Sequence, residues 1–164
     1  MFKKIASAAV LAVLANSTYA AEITQFYIGA DAGTSKLDDY SDRETSYGAF
    51  GGVEFNQYFA IEGGYRRFSR FDVAPAKLRV SQAAISGIGS LPLGSGFSLF
   101  ARLGYNRLTA KASYMGYSAD ESTSGGLVGL GAAYAFSPQV AARIELQRPS
   151  SDSTNLSAGI LVKF

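Results

Sequence analysis

The chain has 164 residues, with 15 basic and 13 acidic side chains and neither cysteine nor histidine. That length leads one to expect a single domain. Disulfide stapling is excluded, and mechanisms that use a histidine proton shuttle or Cys/His zinc ligation lack their residues.

In chain order, "MFKK" is a short basic segment and "IASAAVLAVLA" an apolar run too short to cross a bilayer as a helix. "NSTYA" then places the small residues Thr18 and Ala20 at minus three and minus one of a cut. The pattern predicts a secretory signal peptide over 1–20 and an exported mature domain over 21–164. Cleavage takes Lys3 and Lys4 with it, so the remaining basic residues only match the 13 acidic ones. No basic footprint for nucleic acid is left. No apolar run long enough for a transmembrane helix follows Ala20.

The mature chain then reads as eight segments of alternating apolar and polar residues, the period of half-buried strands. They are 26–35, 46–55, 59–68, 78–91, 97–108, 125–136, 140–148 and 155–164. Short turns at 56–58, 92–96 and 137–139 alternate with longer polar connections at 36–45, 69–77, 109–124 and 149–154. Tight turns at one rim and loops at the other are the layout of an all-β, eight-stranded antiparallel up-and-down barrel.

The two strand faces decide what surrounds that barrel. One carries Phe26, Ile28, Val53, Phe55, Ile61, Tyr65, Phe97, Leu99, Leu103, Tyr105, Leu130, Tyr134, Phe136, Ile144, Leu146, Ile160, Val162 and Phe164. The other carries Asp31, Glu54, Glu62, Arg66, Arg102, Arg143, Glu145 and Lys163, interleaved with glycines such as Gly29, Gly52, Gly129, Gly131 and Gly159. Glycine in a strand loses entropy and packs nothing, so it has no use on a solvated outer face. Inside a narrow barrel it makes room for long side chains. The apolar face would overfill such an interior; turned outward it meets lipid, with Tyr65, Tyr105, Tyr134, Phe55, Phe136 and Phe164 near strand ends as aromatic girdles. The sequence therefore predicts a transmembrane barrel with every backbone donor paired, because lipid does not tolerate an open edge. Buried charges need partners, so Asp31, Glu54, Glu62 and Glu145 are expected to pair with Arg66, Arg102, Arg143 and Lys163 and to plug the lumen.

At this point the residues resemble a known family. "YGAFGGVEFNQYFAIEGGY" resembles the second and third strands of the OmpA-type outer-membrane barrel, "FARLGY" its fifth, "AYAFSPQVAARIELQ" the turn between its sixth and seventh, and "LSAGILVKF" its last. The resemblance implies a barrel in the outer membrane of a Gram-negative cell envelope, in contact with membrane lipids and lipopolysaccharide, with both termini on the periplasmic side. It implies that Ile160, Val162 and Phe164 form the signal read by the outer-membrane assembly machinery. It also implies a charge network in the lumen, in which Glu62 matches a third-strand glutamate and Arg143 a seventh-strand arginine. Ala133 stands in place of the family's sixth-strand glutamate and Ile88 in place of its fourth-strand lysine, so Arg66, Arg102 and Glu145 would build a different network. The family's periplasmic wall-binding domain has no counterpart in this sequence.

Other chemistry finds little support. "SGGLVGLG" lacks the Lys-Ser/Thr of a phosphate loop, and "KLDDYSDRE" lacks the spacing of an EF-hand. The basic-aromatic segment "RRFSRFDVAPAKLR" (66–79) suits either interfacial snorkelling or a grip on phosphate. The expectation is a monomeric structural or surface-interaction protein without enzyme activity, cofactor or metal. The alternatives are a narrow porin-like channel for small solutes and an adhesin acting through its loops.

Overall fold

The computed structural model describes residues 24–37, 43–68, 71–73, 76–114, 117–150 and 153–164. The expected signal peptide lies outside them, as do parts of the acidic segment 36–44 and of the basic-aromatic segment 66–79.

Nine strands follow one another: β1 (Gln25–Leu37), β2 (Arg43–Asn56), β3 (Phe59–Phe68), β4 (Phe71–Val73), β5 (Ala76–Gly94), β6 (Phe97–Tyr114), β7 (Tyr117–Ala135), β8 (Val140–Ser150) and β9 (Ser153–Lys163). All pairings are antiparallel. The sheet order β3-β2-β1-β9-β8-β7-β6-β5-β4, with an added β3–β5 pairing, closes eight of them into a barrel and leaves β4 as a short ribbon on β5. The register fixes the stagger. Starting at Ser35, the partners run through Asn155, Gln147, Gly129, Arg102, Ile88, Ala60 and Glu54 and return to β1 at Gln25, ten residues from the start. Such a shear tilts the strands and leaves an interior just wide enough for side chains.

The rim that holds the start of β1 and the end of β9 is built from short turns. Asn56 Oδ1 accepts the backbone N–H of Tyr58 at 2.9 Å and of Phe59 at 2.8 Å. Ser137 Oγ does the same for Gln139 and Val140. Between β5 and β6 the chain turns through left-handed Gly94, Ser95 and Gly96, a conformation that glycine adopts without strain. At the seam, the backbones of Phe26 and Phe164 exchange hydrogen bonds of 2.9 and 3.2 Å and their rings stack at 6.4 Å.

Every residue assigned above to the apolar face points out of the barrel; Leu103 is 67% and Leu130 68% exposed. The predicted loop rim needs correction. Segment 109–124, read as a loop, is a hairpin in which β6 and β7 stay paired as far as Tyr114↔Tyr117. Part of 69–77 forms β4 against β5. In 109–124 small and polar residues fall on both parities, and 69–77 is interrupted by Pro75, so neither carries a sustained period-two signal, but the ladder hydrogen bonds that hold the strands do not depend on side-chain polarity. A second correction concerns backbone pairing: β8 accompanies β7 only over Val128–Ala135, so one edge of the projecting half of β7 has no strand beside it among the described residues.

Candidate functional site

All eight charged residues expected in the lumen point into it. Glu62, on β3, accepts from three donors. Arg143 on β8 reaches it with Nη1 at 2.6 Å and Nη2 at 3.2 Å, Arg102 on β6 with Nη2 at 2.7 Å, and the Tyr27 hydroxyl on β1 at 2.9 Å. Arg102 also holds Glu145 through Nε at 2.5 Å and Nη2 at 3.0 Å. Two carboxylates and two guanidiniums thus form a belt across the barrel, with paired contacts of the strong charge-assisted kind. Glu62 and Glu145 are almost fully buried, at 2% and 1% exposure.

Toward the loop rim, Arg66 on β3 binds Asp31 on β1 at 2.8–2.9 Å and donates to Asn155 Oδ1. Asn155 passes the network on to Ser35 at 2.7 Å and Ser46 at 2.8 Å. Toward the terminal rim, Lys163 and Glu54 pair at 2.6 Å but are about a quarter exposed. Charge balances at each level: Asp31, Glu62 and Glu145 against Arg66, Arg102 and Arg143, then Glu54 against Lys163.

Between belt and terminal rim the interior is apolar. Tyr27, Ala60, Ile88, Phe100, Ala141 and Leu161 form one buried cluster with Phe50, and Ala133 packs against it. The Arg143 guanidinium lies 3.4 Å over the Phe50 ring, a cation–π contact strengthened by desolvation. The rings fit because glycines face them: Phe50 pairs with Gly29, Tyr27 with Gly52 and Phe100 with Gly131. A Cβ on Gly131 would meet the Phe100 ring within 2.6 Å. Ile88 and Ala133 belong to this layer.

The polarity of the sequence did not reveal the inward aromatics. Parity could have, since Tyr27 and Phe50 share a face with Asp31 and Gly48 on their own strands. Buried Gln82, Ser86 and Asn106 also face inward, and each has one polar atom, Nε2, Oγ and Oδ1 respectively, with no hydrogen-bond partner among the described residues. Residues Ile160, Val162 and Phe164 lie exposed on the outer wall of β9 and at its end. No cluster of metal-binding side chains occurs among the described residues.

Two cavities flank the belt. One, of about 110 Å³, lies on the terminal side and is lined by Tyr27, Ile88, Phe100 and Leu161 among others. The other, of about 30 Å³, lies on the loop side near Asp31, Arg66 and Gln82. Glu62 and Arg143 line both, so this ion pair forms a partition between them.

A closed barrel with an apolar outer wall and its charges inside is an integral β-barrel membrane protein, since a water-soluble barrel would reverse the faces. The chain belongs to the family described as outer membrane protein beta-barrel domain, whose model matches residues 6–164. Its fold is similar to that of Neisserial surface protein A (TM-score 0.72, 20% identity, covering 85% of this chain and 97% of that one). It is also similar to Ail of Yersinia pestis, solved with the heparin analogue sucrose octasulfate (0.62, 18%, 86% and 97%). A third likeness is to the N-terminal barrel of Pseudomonas aeruginosa OprF (0.64, 14%, 86% and 99%). No match was found among curated proteins. The family places the protein in the outer membrane.

Proposed function

We propose that this protein is a sealed, monomeric structural and surface-interaction barrel of the outer membrane, and not an enzyme. The terminal rim faces the periplasm and the loop rim faces outward. The observation that supports this most directly is the continuous belt of Glu62, Arg102, Arg143 and Glu145, which blocks the lumen at one level while the apolar layer fills the next. On the wall, exposed Arg67 lies 5.9 Å over Tyr65, and exposed Arg107 is on β6, two residues beyond Tyr105 toward the loops. Arginines beside a tyrosine girdle suit phosphate groups of outer-leaflet lipid, lipopolysaccharide included. Ile160, Val162 and Phe164 serve the assembly machinery as an address.

The partition between the two cavities favours one second reading. If the Glu62–Arg143 pair parts, the cavities join, and the barrel becomes a narrow pore. Recording of the purified mature protein in planar bilayers tests both. Baseline traces without steps are expected for the sealed barrel, and frequent single-channel openings in the unaltered protein would establish the pore instead.

A further inference from the structure

We propose that the cavity on the terminal side of the belt is a binding site for a small neutral aromatic molecule, a single ring with one polar substituent, that enters at the terminal rim. The proposal goes beyond the sealed-barrel reading. The site rests on the geometry of the lumen, and only the compartment that its mouth faces rests on that reading.

The cavity measures about 110 Å³. Protein interiors are close-packed, and voids larger than a water are few. This one has a cause in the sequence. The paired strands β7 and β8 turn Ala133, Ala135 and Ala141 into it, with Ala135 opposite Ala141 in the ladder. Across the lumen β3 contributes Ala60. These short side chains leave a hollow between the longer Tyr27, Ile88, Phe100 and Leu161. The hollow has one open end. Glu62 and Arg143 close it at the belt. Toward the rim it runs into a wider vestibule of about 450 Å³, and Ser90, Ser98, Glu54 and Lys163 line both spaces.

The lining selects the guest. Its charges are matched, Glu62 with Arg143 at 2.6 Å and Glu54 with Lys163 at 2.6 Å. A charged guest would lose its water and meet ions already engaged with each other, so a neutral one is selected. An enclosed water needs several polar partners. Of the buried side-chain polar atoms left without a hydrogen bond among the described residues, none belongs to a residue lining this cavity, whereas Gln82 lines the smaller loop-side one. The loop-side cavity therefore calls for water, and the depth of this one for apolar atoms. Its size suits one ring, since a dry cavity of about 150 Å³ takes up benzene. The rings of Tyr27 and Phe100 in its wall favour an aromatic guest through edge or offset contacts. A polar substituent then points to the mouth, where Ser90 and Ser98 stand.

The test uses the purified mature protein in nanodiscs, with isotope-labelled alanine methyl groups, and phenol as the probe. Phenol also dissolves in lipid, so the exposed wall residues Ala30, Ala49 and Ala101 serve as the internal reference. Ring-current shifts of Ala60, Ala133 and Ala141 should saturate with a dissociation constant of about 1 mM, modest for a guest of this size. The wall methyls should drift without saturating. Ala133→Leu fills the hollow and should weaken binding about tenfold, because a packed interior has no room to yield. Ile88→Ala widens it and should admit indole, which the parent refuses; a damaged barrel would not gain a ligand. Ser98→Trp at the mouth should slow the exchange of phenol. The site is overturned if the lumen methyls shift no more than the wall methyls, if their shifts never saturate, or if Ala133→Leu and Ile88→Ala both behave as the parent. Equally strong competition by cyclohexanol would overturn the aromatic class, and unchanged exchange in Ser98→Trp would overturn entry from the rim. Channel openings of the parent in planar bilayers would overturn the sealed barrel and leave the site standing.

Discussion

Glu62 and Glu54 are carboxylates on neighbouring strands that point into the same lumen, yet their surroundings differ. Glu62 sits in the belt, almost without solvent, held by two arginines and a tyrosine. Glu54 sits at the terminal rim, a quarter exposed, with Lys163 as its ion-pair partner among the described residues. The comparison separates two roles for charge in a barrel. In the belt, each ion has lost its water and is held there by its partners, so the group acts as one unit. At the rim, water stands in for a missing partner, and the pair adds little.

The largest effect should come from taking the belt apart. Glu62→Ala takes from Arg143 its close carboxylate and leaves Arg102 with Glu145, and removing one partner of a buried pair costs about 3–5 kcal/mol. Urea unfolding in lipid vesicles should show this loss, and adding Arg143→Ala should recover part of it. Full additivity of the two changes would show that the pair is not coupled. In planar bilayers Glu62→Ala should also open channels more often than the parent.

Turning a strand position by one residue extends the contrast to the wall. Arg102 inside the barrel is satisfied by two carboxylates, while Leu103 beside it faces lipid. Leu103→Arg should destabilise by about 2–4 kcal/mol, as for cations at mid-bilayer. Folding as stable as the parent would mean the outer face meets water. The apolar layer provides the next step down. Gly131→Val pushes a side chain into the Phe100 ring, and overpacking of this kind costs about 1–3 kcal/mol; the same unfolding assay reads it. Smallest of all, Glu54→Ala should cost no more than about 1 kcal/mol, and the loss should shrink in high salt. A loss at the rim equal to that at Glu62 would erase the distinction between the two regions.

Much of this was legible in the sequence, for physical reasons. Wherever lipid lies on one side and the lumen on the other, side-chain polarity must alternate, so the eight spanning segments and the inward position of all eight charged residues follow from parity. Glu62 and Arg143 could be singled out because their surrounding residues resemble a family pattern. The alternation ends where lipid ends. Between Leu108 and Gly125 small and polar residues fall on both parities, and nothing in that pattern distinguished a paired hairpin from a loop. The inward aromatics escaped for a related reason. Tyr27, Phe50 and Phe100 look like wall residues by composition, and only their spacing against Gly52, Gly29 and Gly131 fits them to the interior.

The seam between Phe26 and Phe164 has a consequence for how the barrel comes into being. Hairpin contacts such as Asn56 with Phe59 join residues close in sequence and can form early. The β1–β9 ladder joins the first strand to the last, so its entropy of closure is the largest of any pairing here. Long-range contacts of this kind slow folding. Until they form, a curled sheet with two bare edges stands in or beside the membrane, and either edge can capture another chain. The last ladder to close therefore sets how long the protein remains open to aggregation, and this is the interval an assembly catalyst would have to shorten.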